Sequence, residues 1–131
     1  MFYTVEIDVP ANTAIETPTR TVLKVSRGIL RHVWFRWRWG SADLCGVRVT
    51  YQSHQIVPFN LTEWIRSFDQ MIDFEEELEI DSEPYELAIE TYNLDDTFAH
   101  AVWVAFTVLL AEDERRLYEL MVAAWEDALY G

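Results

Sequence analysis

Residues 28–40 alternate between apolar and mixed positions and are rich in β-branched and aromatic types. The odd positions start at Ile29 and are wholly apolar beyond Arg31, whereas the even positions mix apolar and basic side chains. A period of two is typical of a β-strand that presents one face to a core. The pattern therefore predicts a long central strand. Its core face includes Phe35, Trp37 and Trp39, and its outward face includes Trp34, Arg36 and Arg38.

Seven other segments have strand character, and turn residues separate them. Residues 98–109 are apolar on both faces, which is typical of a strand in the centre of a sheet, so Trp103 is predicted to lie in the core. Residues 71–80 carry clustered acids, which indicates an edge strand. Residues 21–26 are predicted to form a hairpin with the central strand. The remaining strands are predicted at residues 2–9, 44–51, 54–57 and 85–91.

From Glu112 the hydrophobic period changes to three and four residues, and no Gly or Pro interrupts it before Gly131. This period predicts a terminal helix of about eighteen residues. Its apolar arc has two adjacent rows, so the helix either packs widely on its own domain or docks on a partner or sister subunit. The first row is Leu117, Leu120, Met121, Ala124 and Ala128, and the second row is Tyr118, Val122, Trp125 and Leu129.

A short helical turn through Trp64 and Ile65 is predicted, because Asn60 is placed to cap it and Glu63 to complete a capping box. Together these segments predict an all-β protein. We expect an antiparallel, jelly-roll-like β-sandwich of about eight strands with a C-terminal α-helix. The sandwich is predicted to occupy residues 1–110 as one domain, followed by the amphipathic helix over 111–131.

The chain has 131 residues, enough for one domain with its own core, and 15% of them are aromatic. This exceeds what a minimal core requires, so some rings are expected at an interface in a homo-oligomer. The net charge of −13 disfavours binding to nucleic acids and to anionic membranes. Basic residues cluster within positions 20–48 and acidic ones within 63–96. These segments either pair within one molecule or meet between copies.

No spacing of residues indicates a catalytic, metal-binding or cofactor site. Cys45 has apolar neighbours and is predicted to be a buried structural thiol. His32, His54 and His100 fall on three different predicted strands without ligand spacing, so each is expected to pair with a neighbouring residue. The sequence therefore predicts a protein that is not an enzyme and that uses no metal and no cofactor.

The first residues lack the basic start and continuous apolar region of a signal peptide. The longest apolar run, residues 101–111, is too short to span a bilayer. We expect a soluble protein that is made in the cytoplasm, does not enter a membrane, and is either free or part of a virion.

The chain contains Pro10-Ala-Asn-Thr, Gly28-Ile-Leu, Leu44-Cys-Gly-Val-Arg-Val, Gln55-Ile-Val-Pro-Phe-Asn60 with Trp64, and Pro84-Tyr-Glu-Leu-x-Ile-Glu-x-Tyr-Asn-Leu-Asp-Asp. In these packing and turn residues it resembles small β-sandwich proteins encoded among the structural genes of phages and prophages. The similarity covers residues 3–108. It implies a virion-associated role as a minor capsid, decoration or adaptor subunit.

The predicted function is that of a non-enzymatic structural subunit that self-associates or joins a larger assembly such as a capsid. The alternative is a carbohydrate-binding module that uses exposed Trp residues. A platform for single-stranded nucleic acid on residues 34–39 is disfavoured, because the alternation turns half of its rings into the core. The residues predicted to form the interface are Trp34, Arg36, Arg38, Tyr118, Val122, Trp125 and Leu129.

Overall fold

The computed structural model describes residues 1–38, 40–67 and 70–130, and of residues 111–114 the backbone alone. Within these residues the chain forms nine strands and one helix. Trp39, a predicted core residue, lies outside the described residues. The strands are β1 (Phe2–Val9), β2 (Thr19–Lys24), β3 (Gly28–Trp37), β4 (Cys45–Tyr51), β5 (His54–Val57), β6 (Ile65–Arg66), β7 (Met71–Ile80), β8 (Glu86–Asn93) and β9 (His100–Leu110), and the helix is α1 (Ala111–Tyr130).

The strands form two antiparallel sheets, which confirms the predicted β-sandwich. The front sheet has the order β1-β9-β3-β7, so β7 is an edge strand as predicted. The back sheet has the order β2-β8-β4-β5, with β6 beside β4. Apart from the two-residue β6, this is the jelly-roll arrangement, in which the chain repeatedly crosses from one sheet to the other.

The predicted hairpin between the second and third strands is wrong, because the chain changes sheets between them. β2 pairs with β8 in the back sheet, and β3 pairs with β7 and β9 in the front sheet. Val25 is buried at this corner, and the backbone N–H of Ser26 donates to the hydroxyl of Tyr3 at 2.9 Å. A connection this short fits a hairpin and a crossover equally well, so the sequence does not distinguish them.

The core lies between the inward faces of the two sheets. Phe35 and Trp37 are buried there, as the alternation along β3 predicts. The indole N–H of Trp37 donates to the backbone carbonyl of Cys45 at 3.0 Å and so joins the front sheet to the back sheet. Cys45 is itself buried, which confirms its predicted position in the core.

A register shift within β3 changes which of its residues face the core. The shift falls between Leu30 and His32, in the pairing with both β7 and β9. Leu30 is fully buried as a result, and the prediction that Ile29 lies on the core face is wrong, since it is only partly buried. Arg31 lies at the shift and reaches Glu77 on β7 at 3.4 Å. A period of two does not reveal such a bulge.

The strand β9 lies between β1 and β3, in the centre of the front sheet, as its apolar pattern predicts. Trp103, however, is not a core residue, because it is only partly buried and lies on the face opposite the large buried side chains of β9. Its cross-strand neighbours are Glu6 and Arg36. A strand that is apolar on both faces does not show which face is inward. The fully buried inward residues are Val102, Val104, Phe106 and Val108.

The predicted helical turn near Asn60 is also wrong, because residues 58–62 form bends and turns, and residues 63–64 lead irregularly into β6. The side-chain amide of Gln55 donates to the backbone carbonyls of Pro58 at 2.8 Å and of Asn60 and Glu63 at 3.1 Å. These bonds hold the loop in an irregular path. The chain can then continue as a short strand along β4 instead of a helix.

The basic and acidic segments of the chain meet within one molecule. Arg31 on β3 lies 3.4 Å from Glu77 on β7, and Arg48 on β4 lies 2.8 Å from Glu90 on β8. Each pair joins neighbouring strands of one sheet. At least two pairs between the segments therefore form within the chain.

Candidate functional site

Helix α1 exposes both of its apolar rows. All of its described side chains, from Arg115 to Tyr130, are exposed. Tyr118 and Trp125 each keep 68% of their accessible surface, although large aromatic residues are usually buried for the most part. The sandwich therefore leaves the apolar face of its own helix uncovered.

The junction between β9 and α1 explains this exposure. Leu110 ends the strand and Ala111 begins the helix, so no loop lets the helix turn back onto the sandwich. The first turns of the helix border a groove of about 470 Å³ that is lined by Ile29, Ile80 and Tyr118, among others. Half of the groove lining is charged, and of the two apolar rows Tyr118 alone borders the sandwich at the base of the helix.

The outer face of the front sheet carries the predicted interface residues of β3. The ring of Trp34 is partly buried between two others, with centroid distances of 4.2 Å to His32 and 5.7 Å to Phe2. Nε2 of His32 in turn lies 2.7 Å from a carboxylate oxygen of Asp73. These contacts hold the Trp34 ring in one orientation on the surface of the sheet.

Arg36 and Arg38 are exposed on the same face, as predicted. The guanidinium of Arg38 donates to the carboxylate of Glu6, and this hydrogen bond, with the charge of Glu6, raises the pKa of Arg38. Arg36 pairs in register with Trp103 on one side and Met71 on the other. The face is therefore a mixed aromatic and charged surface.

Sequence reasoning missed three members of this surface, namely Phe2, His32 and Trp103. Each of the three lies on a predicted strand. Their proximity to Trp34, however, depends on the strand order β1-β9-β3-β7, which the sequence pattern does not give. The register places Trp34 opposite Ala105, two residues from Trp103 on the same face of β9. The signal that reveals this cluster is the pairing of strands that are distant in sequence.

The predicted interface residues fall into two separate groups. The register pairs Gly28, at the start of β3, with Leu110, from which the helix departs. Trp34, Arg36 and Arg38 lie toward or beyond the other end of β3. The structure therefore does not bring the aromatic residues of the helix and those of the front sheet into one site.

A third aromatic cluster, on the outer face of the back sheet, is closed by its own contacts. Trp64 meets the ring of Tyr92 edge-on at 4.8 Å, and the guanidinium of Arg48 lies 4.2 Å from the Trp64 centroid. Arg48 also donates to Glu90 at 2.8 Å. A side chain at Gly46 would come within 2.1 Å of the Tyr92 ring, so only glycine fits beneath it. Trp64 is thus a structural residue of this sheet.

Cys45 and two of the three histidines have structural positions in the described part of the chain. Burial raises the pKa of the Cys45 thiol to about 12, so the thiol is protonated at neutral pH. Nε2 of His100 lies 2.7 Å from Asp95, and His32 has Asp73 as its partner. No cluster of three His, Cys, Asp or Glu residues that would suit a metal ion occurs in the part of the chain that the structure describes.

Asp95 makes the stability of the fold depend on pH. Its carboxylate accepts the backbone N–H of Thr97 at 2.9 Å and lies 2.7 Å from His100, and these bonds, that of Thr97 first, lower the pKa of Asp95 below 3.8. As the pH falls, Asp95 is therefore protonated in the unfolded chain before it is protonated in the folded chain. The stabilisation by Asp95 is therefore complete above about pH 4 and is lost as the pH drops through the lowered pKa.

Denaturant unfolding between pH 6 and pH 2 measures this effect, and the Asp95→Asn variant serves as the reference. We expect the wild-type chain to lose more stability than Asp95→Asn over the acidic range, because all other carboxylates are common to both. Equal losses would show that the folded state does not lower the pKa of Asp95.

In comparisons with known proteins, no family model and no curated protein matches this chain. The resemblance to phage and prophage proteins therefore stays a prediction. Within residues 1–38, 40–67 and 70–130, no helix has the length and apolar character needed to cross a membrane.

Proposed function

We propose that this protein is a non-enzymatic structural subunit that self-associates through α1. The observation that carries the proposal is the exposure of both apolar rows of this helix. An apolar surface of this kind on a soluble domain marks a site of protein contact. The direct continuation of β9 into the helix keeps that surface away from its own sandwich, so the contact is made with another chain.

This contact would contribute several kcal/mol to assembly. Burying an aromatic side chain removes about 150–250 Å² from water. Covering the exposed 68% of Tyr118 and Trp125 would contribute about 5–8 kcal/mol at about 25 cal/mol per Å², before the costs of ordering are subtracted. Most of the stability of a helix in a protein comes from the packing of its apolar face, so packing against another chain would also stabilise α1.

The proposal extends to a virion-type subunit such as a minor capsid, decoration or adaptor protein. It is supported by the resemblance of residues 3–108 to β-sandwich proteins of phages and prophages. The jelly-roll order of the sheets also occurs in viral capsid domains, which is an analogy of fold. Mass spectrometry of phage particles purified from the source strain tests this extension by detecting the chain.

Light scattering after gel filtration, from low to high micromolar concentration, tests self-association. We expect a mass that is a multiple of 15.5 kDa for the full chain, and a monomer for Tyr118→Ser/Trp125→Ser. Tyr130→Ser is the matched control, because Tyr130 is an exposed aromatic residue of α1 outside both rows. A full chain that stays at 15.5 kDa at all concentrations would contradict the proposal.

A carbohydrate-binding module is the second candidate, and the fixed orientation of Trp34 on the front sheet favours it. A partly buried ring held between Phe2 and His32 on the surface of the sheet suits stacking against a sugar. Binding of the protein to a glycan array tests this function. Loss of binding in Trp34→Ala, together with unchanged binding in Trp64→Phe, would support it. Trp64 is the control because its ring is engaged by Tyr92 and Arg48.

A further inference from the structure

We propose that α1 assembles four copies of the chain as an antiparallel four-helix bundle with the sandwiches at its two ends. Each helix would contact one neighbour through its first row and the other neighbour through its second row. The inference rests on the proposed function, since it names the partner of the exposed helix as the same helix of three further copies. It follows from the angle between the rows, the sizes of the facing side chains and the order of the charges.

The angle between the two rows fits a bundle of four helices. Each residue of the second row directly follows a residue of the first, and successive residues are about 100° apart around a helix. Viewed down the axis of one helix, the directions to its two neighbours differ by about 60° in a ring of three helices, about 90° in a ring of four and about 120° in a ring of six. A ring of five, at about 108°, fits the observed rows as closely, but a ring in which all neighbours are antiparallel needs an even number of helices, and four is then the closest arrangement.

The spacing and sizes of the first row fit an antiparallel contact. Four of its five members, namely Leu117, Met121, Ala124 and Ala128, are spaced by four, three and four residues, which is the spacing of a packed helical seam. When two such rows run in opposite directions, Leu117 lies opposite Ala128 and Met121 lies opposite Ala124. Each large side chain then meets a small one. A parallel contact would instead place alanine opposite alanine in the second half of the row.

The charges beside the rows also favour opposite directions. On helical spacing, Arg116 and Asp127 flank the first row at its two ends, and Arg115 and Glu126 flank the second row in the same order. All four side chains are exposed. An antiparallel pair brings Arg116 of one helix near Asp127 of the other, whereas a parallel pair brings like charges together.

The charge of the whole chain points the same way. Each copy carries a net charge of −13, so close packing of four sandwiches at one end of a bundle is opposed by repulsion. Antiparallel helices place neighbouring sandwiches at opposite ends, about 25–30 Å apart for a helix of this length. The arrangement has dihedral symmetry, which is common for tetramers.

Charge reversal and compensation test the direction of the helices. In the antiparallel bundle, Arg116→Glu breaks four pairs per tetramer, so we expect a rise of about tenfold or more in the concentration at which half of the tetramer dissociates. The double variant Arg116→Glu/Asp127→Arg restores opposite charges and is expected to return this concentration to near the wild-type value. In a parallel bundle the first row of each helix faces the second row of its neighbour, so position 116 lies beside Arg115 of that neighbour. Arg116→Glu would then replace a like-charge contact by an opposite-charge pair and lower this concentration, which would contradict the antiparallel arrangement.

Disulfide trapping gives an independent measure of the same contact. A mixture of Leu117→Cys and Ala128→Cys chains is expected to form crosslinked pairs under air oxidation, whereas Leu117→Cys alone is not. The native Cys45 is fully buried and does not interfere. Crosslinking of Leu117→Cys alone would overturn the antiparallel tetramer and leave self-association in place. A stable dimer or trimer whose assembly the double charge variant does not restore would do the same. A monomer at every concentration would overturn both.

Discussion

Replacing Trp37 with Ala is expected to lower the free energy of unfolding by about 3–5 kcal/mol. Trp37 is the largest of the fully buried side chains, with 1% of its surface exposed. Its truncation removes apolar contact area and leaves a cavity between the sheets. It also leaves the carbonyl of Cys45 without the indole N–H that lies 3.0 Å away, and an unpaired buried acceptor adds to the loss.

Two variants control this prediction in urea unfolding measured by circular dichroism. Trp37→Phe keeps most of the ring volume and loses the hydrogen bond to Cys45, so a smaller loss of about 1–2 kcal/mol is expected. Trp34→Ala removes the same type of side chain from the outer face of β3, where it is only partly buried, and should cost clearly less than Trp37→Ala. Similar costs for Trp34→Ala and Trp37→Ala would contradict the assignment of the two faces.

The fold was largely predictable because most strands have one face that is less exposed than the other. The alternation in β4 gave Cys45, Val47 and Val49 as one inward face, and all three are fully buried. The doubly apolar pattern of β9 gave its central place in the front sheet. When the two faces of a strand differ in polarity, the pattern identifies both the strand and its inward side. Several such strands in one chain are then enough to predict a sandwich.

The errors arise where tertiary contacts decide between local alternatives. The bulge near Arg31 moves Leu30 into the core in place of Ile29. An alternating pattern of apolar residues does not show where a residue is inserted into a strand. The loop after Pro58 is held by the amide of Gln55, a contact that overrides the capping pattern at Asn60. In each case the decisive partner lies on another part of the chain.

The candidate site was predictable to the extent that the pattern marks exposed apolar residues. The two rows of α1 follow from helical spacing, and Trp34 follows from the alternation of β3. Whether the helix folds back was left open by the sequence, and the structure decides it by continuing β9 into the helix at Leu110. The position of Trp103 beside Arg36 depends on the pairing of β3 with β9, which no local pattern encodes.

A chain shortened to end at Leu110 is expected to keep the stability of the sandwich and to lose assembly. The described side chains of α1 are exposed, and none belongs to the core, so removing the helix takes little apolar contact away from the sandwich. We expect its free energy of unfolding to lie within about 1 kcal/mol of the value for the full chain in its monomeric form. The strand signal in circular dichroism should be retained.

Concentration distinguishes the two chains. For a tetramer, the apparent stability of the full chain should rise by about 1 kcal/mol per subunit for each tenfold increase in concentration, because unfolding is coupled to dissociation. The shortened chain should show no such dependence, and the full-length Tyr118→Ser/Trp125→Ser variant should behave like it. If the shortened chain unfolds, α1 belongs to the core of its own sandwich. If it assembles as before, the exposed rows of α1 do not form the interface.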